Sequence, residues 1–399
     1  MSKSKKPDIQ DIVVVGGGPS GRIAALKLAQ LGFSVTLVAP VTGQSDGRTT
    51  ALWQKSISLL EEIGVWDEIA EDSARLKKMR MIDDTRRLFR APEVVFDSNE
   101  LGLEEFGFNI LNSYLNQKLE EKCDAETGLT CVNDSASSVS FSEDHVEVVP
   151  ASGTPVRALL AVAADGRRSL LRQAAGIEVK SWSYPQVAVV LNVEHRLPHS
   201  DISTEFHTPT GPFTIVPLPG RKSSIVCVET EDGAQQLLSM ASDELAQELE
   251  KRSHSILGTF EIASDVQHFP LSGLNARSLI GQRLALIGET AHVFPPIGAQ
   301  GLNLSLRDID DLASALRAAR ARGSDIGGPA VLQSYEDRRK SDIASRTNAV
   351  DALNRSLLTS FLPAQFARSA GMYLAGRIGP LRRLLMREGM APRLGLRLP

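Results

Sequence analysis

A chain of 399 residues is long enough for two or three packed units and a large buried core. Apolar residues make up 42%, charged residues 23%, and the formal net charge is −4, proportions that exclude a disordered chain, a collagen and a small disulfide scaffold. The near-neutral balance also argues against a nucleic-acid partner, which requires a strongly basic face to neutralise phosphates.

In chain order, Lys3, Lys5 and Lys6 are followed by Pro7-Asp8-Ile9-Gln10-Asp11 rather than an apolar stretch, so no targeting segment is read there. Ile12-Val13-Val14-Val15 is a β-branched run that predicts a buried strand. It ends in Gly16-Gly17-Gly18-Pro19-Ser20-Gly21, a helical pattern follows through Leu31, Gly32 stands where a C-cap glycine belongs, and Ser34–Val38 reads as a second strand. This is a strand–turn–helix–strand unit. Leu159–Ala164 predicts another buried strand, stopped by Asp165-Gly166. Val187–Val193 and Ser224–Val228 read as strands of a separate sheet. Between them Pro209, Gly211, Pro212, Pro217, Pro219 and Gly220 predict loops packed over that sheet. Leu284–Ile287 is a last parallel-type strand, and a long helix is expected from about Leu302 to Arg322, with mostly helical sequence after Tyr335. No apolar run is long enough to span a bilayer. Cys123, Cys131 and Cys227 form no CxxC pair, which fits a reducing compartment and gives no metal-ligand spacing. A cytoplasmic chain with at most peripheral membrane contact is expected.

Gly16, Gly18 and Gly21 form G-x-G-x-x-G between the first strand and the first helix. That arrangement brings a pyrophosphate against backbone N–H groups at a helix N-terminus. Arg22 sits in the first helical turn, where the helix dipole disfavours a cation unless an anion is bound; it is a candidate diphosphate contact. The second strand ends in Ala39 instead of the acid that usually binds an adenosine ribose, so looser cofactor binding is expected.

Three further segments follow in order: Asp46-Gly47-Arg48-Thr49-Thr50-Ala51-Leu52; Asp165-Gly166-Arg167-Arg168-Ser169-Leu170-Leu171-Arg172; and the run from Gly288-Glu289-Thr290-Ala291-His292 through Pro295-Pro296-Ile297-Gly298-Ala299-Gln300-Gly301-Leu302-Asn303. With the first glycine motif they resemble the single-component flavin aromatic hydroxylases of the p-hydroxybenzoate hydroxylase type. The RTTAL and PPIGAQGLN wording and Ser334–Arg339 are similar to the ubiquinone-biosynthesis hydroxylase family, over about residues 10–390. The resemblance implies an α/β fold, with a Rossmann-like FAD-binding domain from segments 10–80, 106–177 and 275–334. A β-sheet substrate domain comes from 81–105 and 178–274, and a helical segment spans 335–399.

It also implies site roles. Gly16, Gly18 and Gly21 hold the FAD diphosphate; Arg48 lies along the ribityl–diphosphate region; Asp165 and Gly166 form the DG motif associated with FAD and the nicotinamide donor. Glu289 stands where relatives have Asp, the ligand of a ribityl hydroxyl. Pro296, Gly298, Gly301, Leu302 and Asn303 face the isoalloxazine pyrimidine, where amide dipoles stabilise negative charge. Ser169 and Arg172 are open between signature roles and capping or solvation, and His292 reads as a packing residue. No second G-x-G-x-x-G occurs, so a separate nicotinamide domain is not expected.

The implied reaction is NAD(P)H- and O2-dependent hydroxylation of the ring of a polyprenylated phenol in ubiquinone biosynthesis, through a flavin C4a-hydroperoxide. The alternatives are a related hydroxylase of a soluble aromatic compound, or a non-catalytic assembly flavoprotein of the quinone pathway. No catalytic base is assigned; Tyr184, Glu205 and His207 read as structural, and Thr210–Phe213 with Val216–Leu218 are expected to shape the pocket. From Arg355 onward there are eight arginines and one acid, Glu388, with Leu353, Leu357, Leu358, Phe361, Leu362, Leu381, Leu384 and Leu385 at helical spacing. Such basic amphipathic helices are expected to touch an anionic membrane surface, the inner membrane, where the insoluble substrate and other ubiquinone-pathway enzymes would be met.

Overall fold

The computed structural model describes residues 9–40, 47–85, 90–295, 300–358, 371, 373–374 and 377–390. At its centre lies β1 (Gln10–Val15), parallel on one side to β2 (Val35–Val38) and on the other to the strand Val156–Ala163. Val156–Ala163 in turn pairs parallel with Leu284–Leu286. Both faces of this sheet are covered, which is why β1 is a continuous β-branched run with Ile12, Val13 and Val14 fully buried. The helix α1 (Pro19–Gln30) follows the glycine turn, and Gly32 adopts a left-handed φ of 84° just past its end. It packs between the sheet and the helices Asn112–Ala125 and Gln300–Ala321.

Among the described residues the second sheet has nine strands, centred on the long strand Val179–His195, which runs antiparallel to both Lys222–Glu229 and Gln267–Ala276. Its period-two pattern divides the two faces. Val187, Val189, Leu191 and Val193 pack under the helices Glu231–Ser239 and Ser242–Arg252, through Leu237, Leu245 and Leu249. Ala188 and Val190 look the other way. From that second face Asn192 donates to the Gly47 carbonyl at 2.9 Å, and the Arg48 guanidinium lies 4.8 Å from the centre of the Phe269 ring. The second sheet is thereby fixed against the segment that enters β3 (Thr49–Trp53), a member of a small three-stranded sheet with Gly107–Leu111 and Ala74–Leu76.

One sequence expectation is corrected here. The Pro/Gly-rich stretch predicted as loops contains two strands of the second sheet, Ile202–His207 and Pro212–Leu218. Phe206, Phe213 and Ile215 are buried in its core, and the prolines stand at the first and next-to-last residues of their strand, where a missing N–H matters least. The strand Lys78–Asp83 pairs parallel with Ile202–His207, so the chain first joins the second sheet at Lys78; it leaves after Val94–Asp97, runs through the first sheet, and returns with Val179–His195.

The helices Gln300–Ala321 and Pro329–Leu358 pack on each other, and a terminal helix, Gly379–Met390, lies over the junction between the sheets through buried Met386. No helix among the described residues is long and apolar enough to cross a membrane.

Candidate functional site

The carboxyl ends of the parallel strands open into a cavity of about 650 Å³. Of the residues expected at a cofactor site, Gly16, Gly18, Arg48, Asp165, Gly166, Glu289, Gly301 and Leu302 line it. The glycines divide their tasks. A Cβ on Gly16 would lie 2.1 Å from the Ala164 carbonyl oxygen, and one on Gly21 2.0 Å from the Gly16 carbonyl oxygen, so these two let turn, helix and neighbouring strand meet at backbone contact. Gly18 is the N-cap of α1 and has nothing near its Cβ position; its backbone is open to the cavity.

Asp165 and Gly166 are locked to the segment that follows Leu284–Leu286. Gly166 donates to Thr290 Oγ1 at 3.0 Å, and Thr290 Oγ1 donates to Asp165 Oδ1 at 3.4 Å. Ser169 is a helix cap, its Oγ accepting from the Arg172 amide at 3.0 Å. Arg172 is buried, not solvated: it donates to the Thr290 carbonyl at 2.8 Å and to the Arg167 carbonyl at 2.7 Å. Glu289 stands exposed at the cavity rim, 3.2 Å from Arg167 Nε.

The turn carrying Glu289 is anchored from beneath. Asp308, fully buried, accepts from the Gly288 amide at 2.9 Å and from Arg339 Nε at 2.8 Å, and its Oδ2 lies 2.7 Å from His292 Nε2. Burial would raise this carboxyl, but His292 and Arg339 outweigh it and hold Asp308 below the usual carboxylate range. His292 stacks on Phe294 and packs as expected, with an ionic partner the sequence did not disclose.

Two expected contacts take other positions. Arg22 does not line the cavity: it is buried, with Nε donating to the Gly17 carbonyl at 2.9 Å and a terminal nitrogen 3.3 Å from Glu120. It braces the back of the glycine turn. Asn303 is buried and reaches backwards, its Oδ1 accepting from the Trp53 amide at 2.9 Å and its Nδ2 donating to the Ala51 carbonyl at 2.7 Å. It pins the start of Gln300–Ala321, with the cavity-lining Gly301 and Leu302, to β3. Pro296 and Gly298 lie outside the described residues.

The sequence reading missed Thr50, Asn112 and Arg168, all on the cavity wall. Arg168 sits inside the DGRRS run and Thr50 inside RTTAL, so proximity to the motifs was their signal. Asn112, whose Oδ1 accepts from Thr50 Oγ1, is distant in sequence and gave none. Tyr184 is held by Trp182 and Asp351, and His207 by Glu205, which suits structural roles.

Backbone N–H groups at a helix N-terminus, two guanidinium groups and a wall where glycines leave the main chain open form a donor set suited to a diphosphate-bearing cofactor. Residues 10–349 match the family described as FAD binding domain, and with the curated relatives that match, this defines a FAD-dependent monooxygenase. The chain is 33% identical to the ubiquinone hydroxylase UbiL of Rhodospirillum rubrum, over 96% of its own length and 90% of that protein. It is 32% identical to the 3-demethoxyubiquinol 3-hydroxylase of Escherichia coli, over 95% and 98%. Among solved structures, p-nitrophenol 4-monooxygenase from Pseudomonas putida has the same fold, with a TM-score of 0.78 at 22% identity, covering 96% of this chain and 99% of that one. The chain belongs to the ubiquinone-biosynthesis hydroxylase family.

Proposed function

We propose that the protein hydroxylates the aromatic ring of a polyprenylated phenol, with NAD(P)H as electron donor and O2 as oxygen source. The observation that carries this reading is the junction itself. Arg48 reaches the cofactor cavity and also covers Phe269 of the second sheet, so a ring bound on that sheet face adjoins the cofactor.

Bound FAD supplies the activation of dioxygen and the oxygen transfer. The chain's own residues bind, orient and exclude water. The turn Gly16–Gly18 and α1 receive the diphosphate; Arg48 and Arg168 offset its charge; Glu289 offers an acceptor at the rim to a ribityl hydroxyl. The amides of Gly301 and Leu302, at the start of a long helix, favour negative charge on the pyrimidine edge, and Asn303 keeps that helix start in register with β3. In this assignment residues 10–80, 106–177 and 275–334 serve the cofactor and 81–105 and 178–274 the substrate.

The segment 335–399 brings the enzyme to an anionic membrane. Leu384 and Leu385 are exposed beside Arg383 and Arg387, and Tyr373, Leu374 and Ile378 are exposed nearby. Such a surface draws an insoluble substrate from lipid and adjoins other enzymes of the pathway. The test is the purified protein with a short-chain prenylated phenol. Phenol-dependent NAD(P)H oxidation with a hydroxylated product supports the reading. Hydroxylation of soluble phenols alone, or no oxidation at all, refutes it.

A further inference from the structure

The strand β3 separates two environments by its period-two geometry. Thr50 lines the cofactor cavity and Leu52 is buried in the main core, whereas Ala51 and Trp53 face the opposite way. There Trp53 packs with Leu76, Val94, Phe96, Phe106 and Met386, flanked by Met79, Met81 and Val216 from the second sheet. The backbone of Trp53 is one hydrogen bond from Asn303, next to the helix start that lines the cavity.

Within this apolar cluster the indole Nε1 of Trp53 is buried, and among the described residues no acceptor receives it. The contrast with Trp182, whose indole donates to Tyr184 Oη at 2.7 Å, marks the difference between an indole used within the fold and one left available. A buried donor without an acceptor is costly and needs a reason. A ligand with an oxygen acceptor on an otherwise apolar body satisfies both the donor and its surroundings. The three methionines give the walls the adaptability an entering chain needs. Met386 also belongs to the terminal helix, whose other side exposes Leu384 and Leu385, so the cluster lies directly under the proposed membrane-facing surface.

We infer that the Trp53 indole N–H donates to a ring oxygen of the phenolic substrate, while the first part of its apolar chain lies against Phe96 and Phe106 and leaves past Met386. This inference rests on the phenol-hydroxylase reading and deepens it by naming a substrate-binding residue. In the bound state the donor orients the ring on the side of β3 away from the diphosphate cavity, at the level of the helix start that carries Gly301.

The test is Trp53→Phe in the FAD-loaded full chain. It keeps an aromatic ring and the backbone bond to Asn303, and removes the donor together with part of the indole's bulk. Thermal midpoint without substrate is expected to fall by no more than about a few degrees, because the cost of the lost ring volume is offset in part by the removal of an unsatisfied buried group. The KM for a short-chain prenylated phenol is expected to rise about tenfold, the effect of one lost hydrogen bond to a prepaid donor. The affinity for the matching prenylbenzene, which lacks the oxygen, is expected to be the same in both proteins.

Independently, the Trp53 indole N–H resonance, assigned by its loss in the variant, should move downfield with the phenol and not with the prenylbenzene. A variant with unchanged phenol KM and an indole resonance indifferent to the phenol overturns this inference alone, provided the parent enzyme turns the phenol over. A parent enzyme that neither binds nor oxidises with any prenylated phenol overturns the functional reading and this inference with it.

Discussion

Replacing Asp308 with asparagine removes the charge on which three elements converge. The carboxylate accepts from Gly288 at 2.9 Å and from Arg339 at 2.8 Å, and sits 2.7 Å from His292, with no exposure to solvent. Breaking a buried ion pair by removing one partner typically costs about 3–5 kcal/mol. Arg339 keeps Asp342 at 2.7 Å and Asp311 at 3.3 Å, so the loss belongs at the lower end, about 3 kcal/mol. That corresponds to a drop in thermal midpoint of about 3–4 °C for a chain of this length. Because Gly288 and His292 flank the turn bearing Glu289, FAD should also be released faster, which flavin fluorescence on dilution reports.

The pH dependence has a definite sign. Asp308 is held below the ordinary carboxylate range in the fold, so the unfolded chain binds more protons there than the folded one. Its stabilisation is complete above the ordinary value of about 4 and is lost as pH falls through the depressed folded value. The variant should therefore lose part of the acid-side slope of stability. A variant with a midpoint within about a degree of the parent, an unchanged acid slope and unchanged flavin release would refute the reasoning.

Three other outcomes follow from the same geometry. Gly21→Ala places a Cβ 2.0 Å from the Gly16 carbonyl oxygen, which backbone cannot yield cheaply; the protein should purify with little or no FAD, read from its absorbance. Arg48→Ala removes a cation from the cavity wall and its stacking on Phe269; the FAD dissociation constant should rise about tenfold or more while the midpoint of the flavin-free protein stays nearly unchanged. Leu384→Gln with Arg383→Glu, on the exposed side of the terminal helix, should abolish co-sedimentation with phosphatidylglycerol vesicles without altering turnover of a detergent-dispersed substrate. Unchanged vesicle binding would remove the membrane assignment.

Much of the fold is local in origin and so visible in the sequence. The run Ile12–Val15, the glycine turn and the C-cap Gly32 each act over a few residues, and the structure places them as a strand, a turn and the end of a helix. The strand Pro212–Leu218 was hidden because its prolines mimic loop composition, while its pairing with Lys222–Glu229 is what makes it a strand. The site divides the same way. Glycines carry their function in their own backbone, and Gly16 and Gly21 behave as the motif requires.

Side chains with long reach do not advertise their targets. Arg22 turns to the Gly17 carbonyl and Glu120, and Asn303 turns to β3, because each finds a buried partner distant in sequence. The convergence of His292, Asp308 and Arg339 likewise exists only once two helices are packed on the turn.

The central claim, ring hydroxylation by a FAD-bound enzyme, is tested most directly with isotopically labelled dioxygen. The flavin-loaded protein, NAD(P)H and a short-chain prenylated phenol should yield a product whose new ring hydroxyl carries the label, detected by mass spectrometry. Nicotinamide oxidation with no labelled product, or protein that purifies colourless and takes up no added FAD, would contradict it.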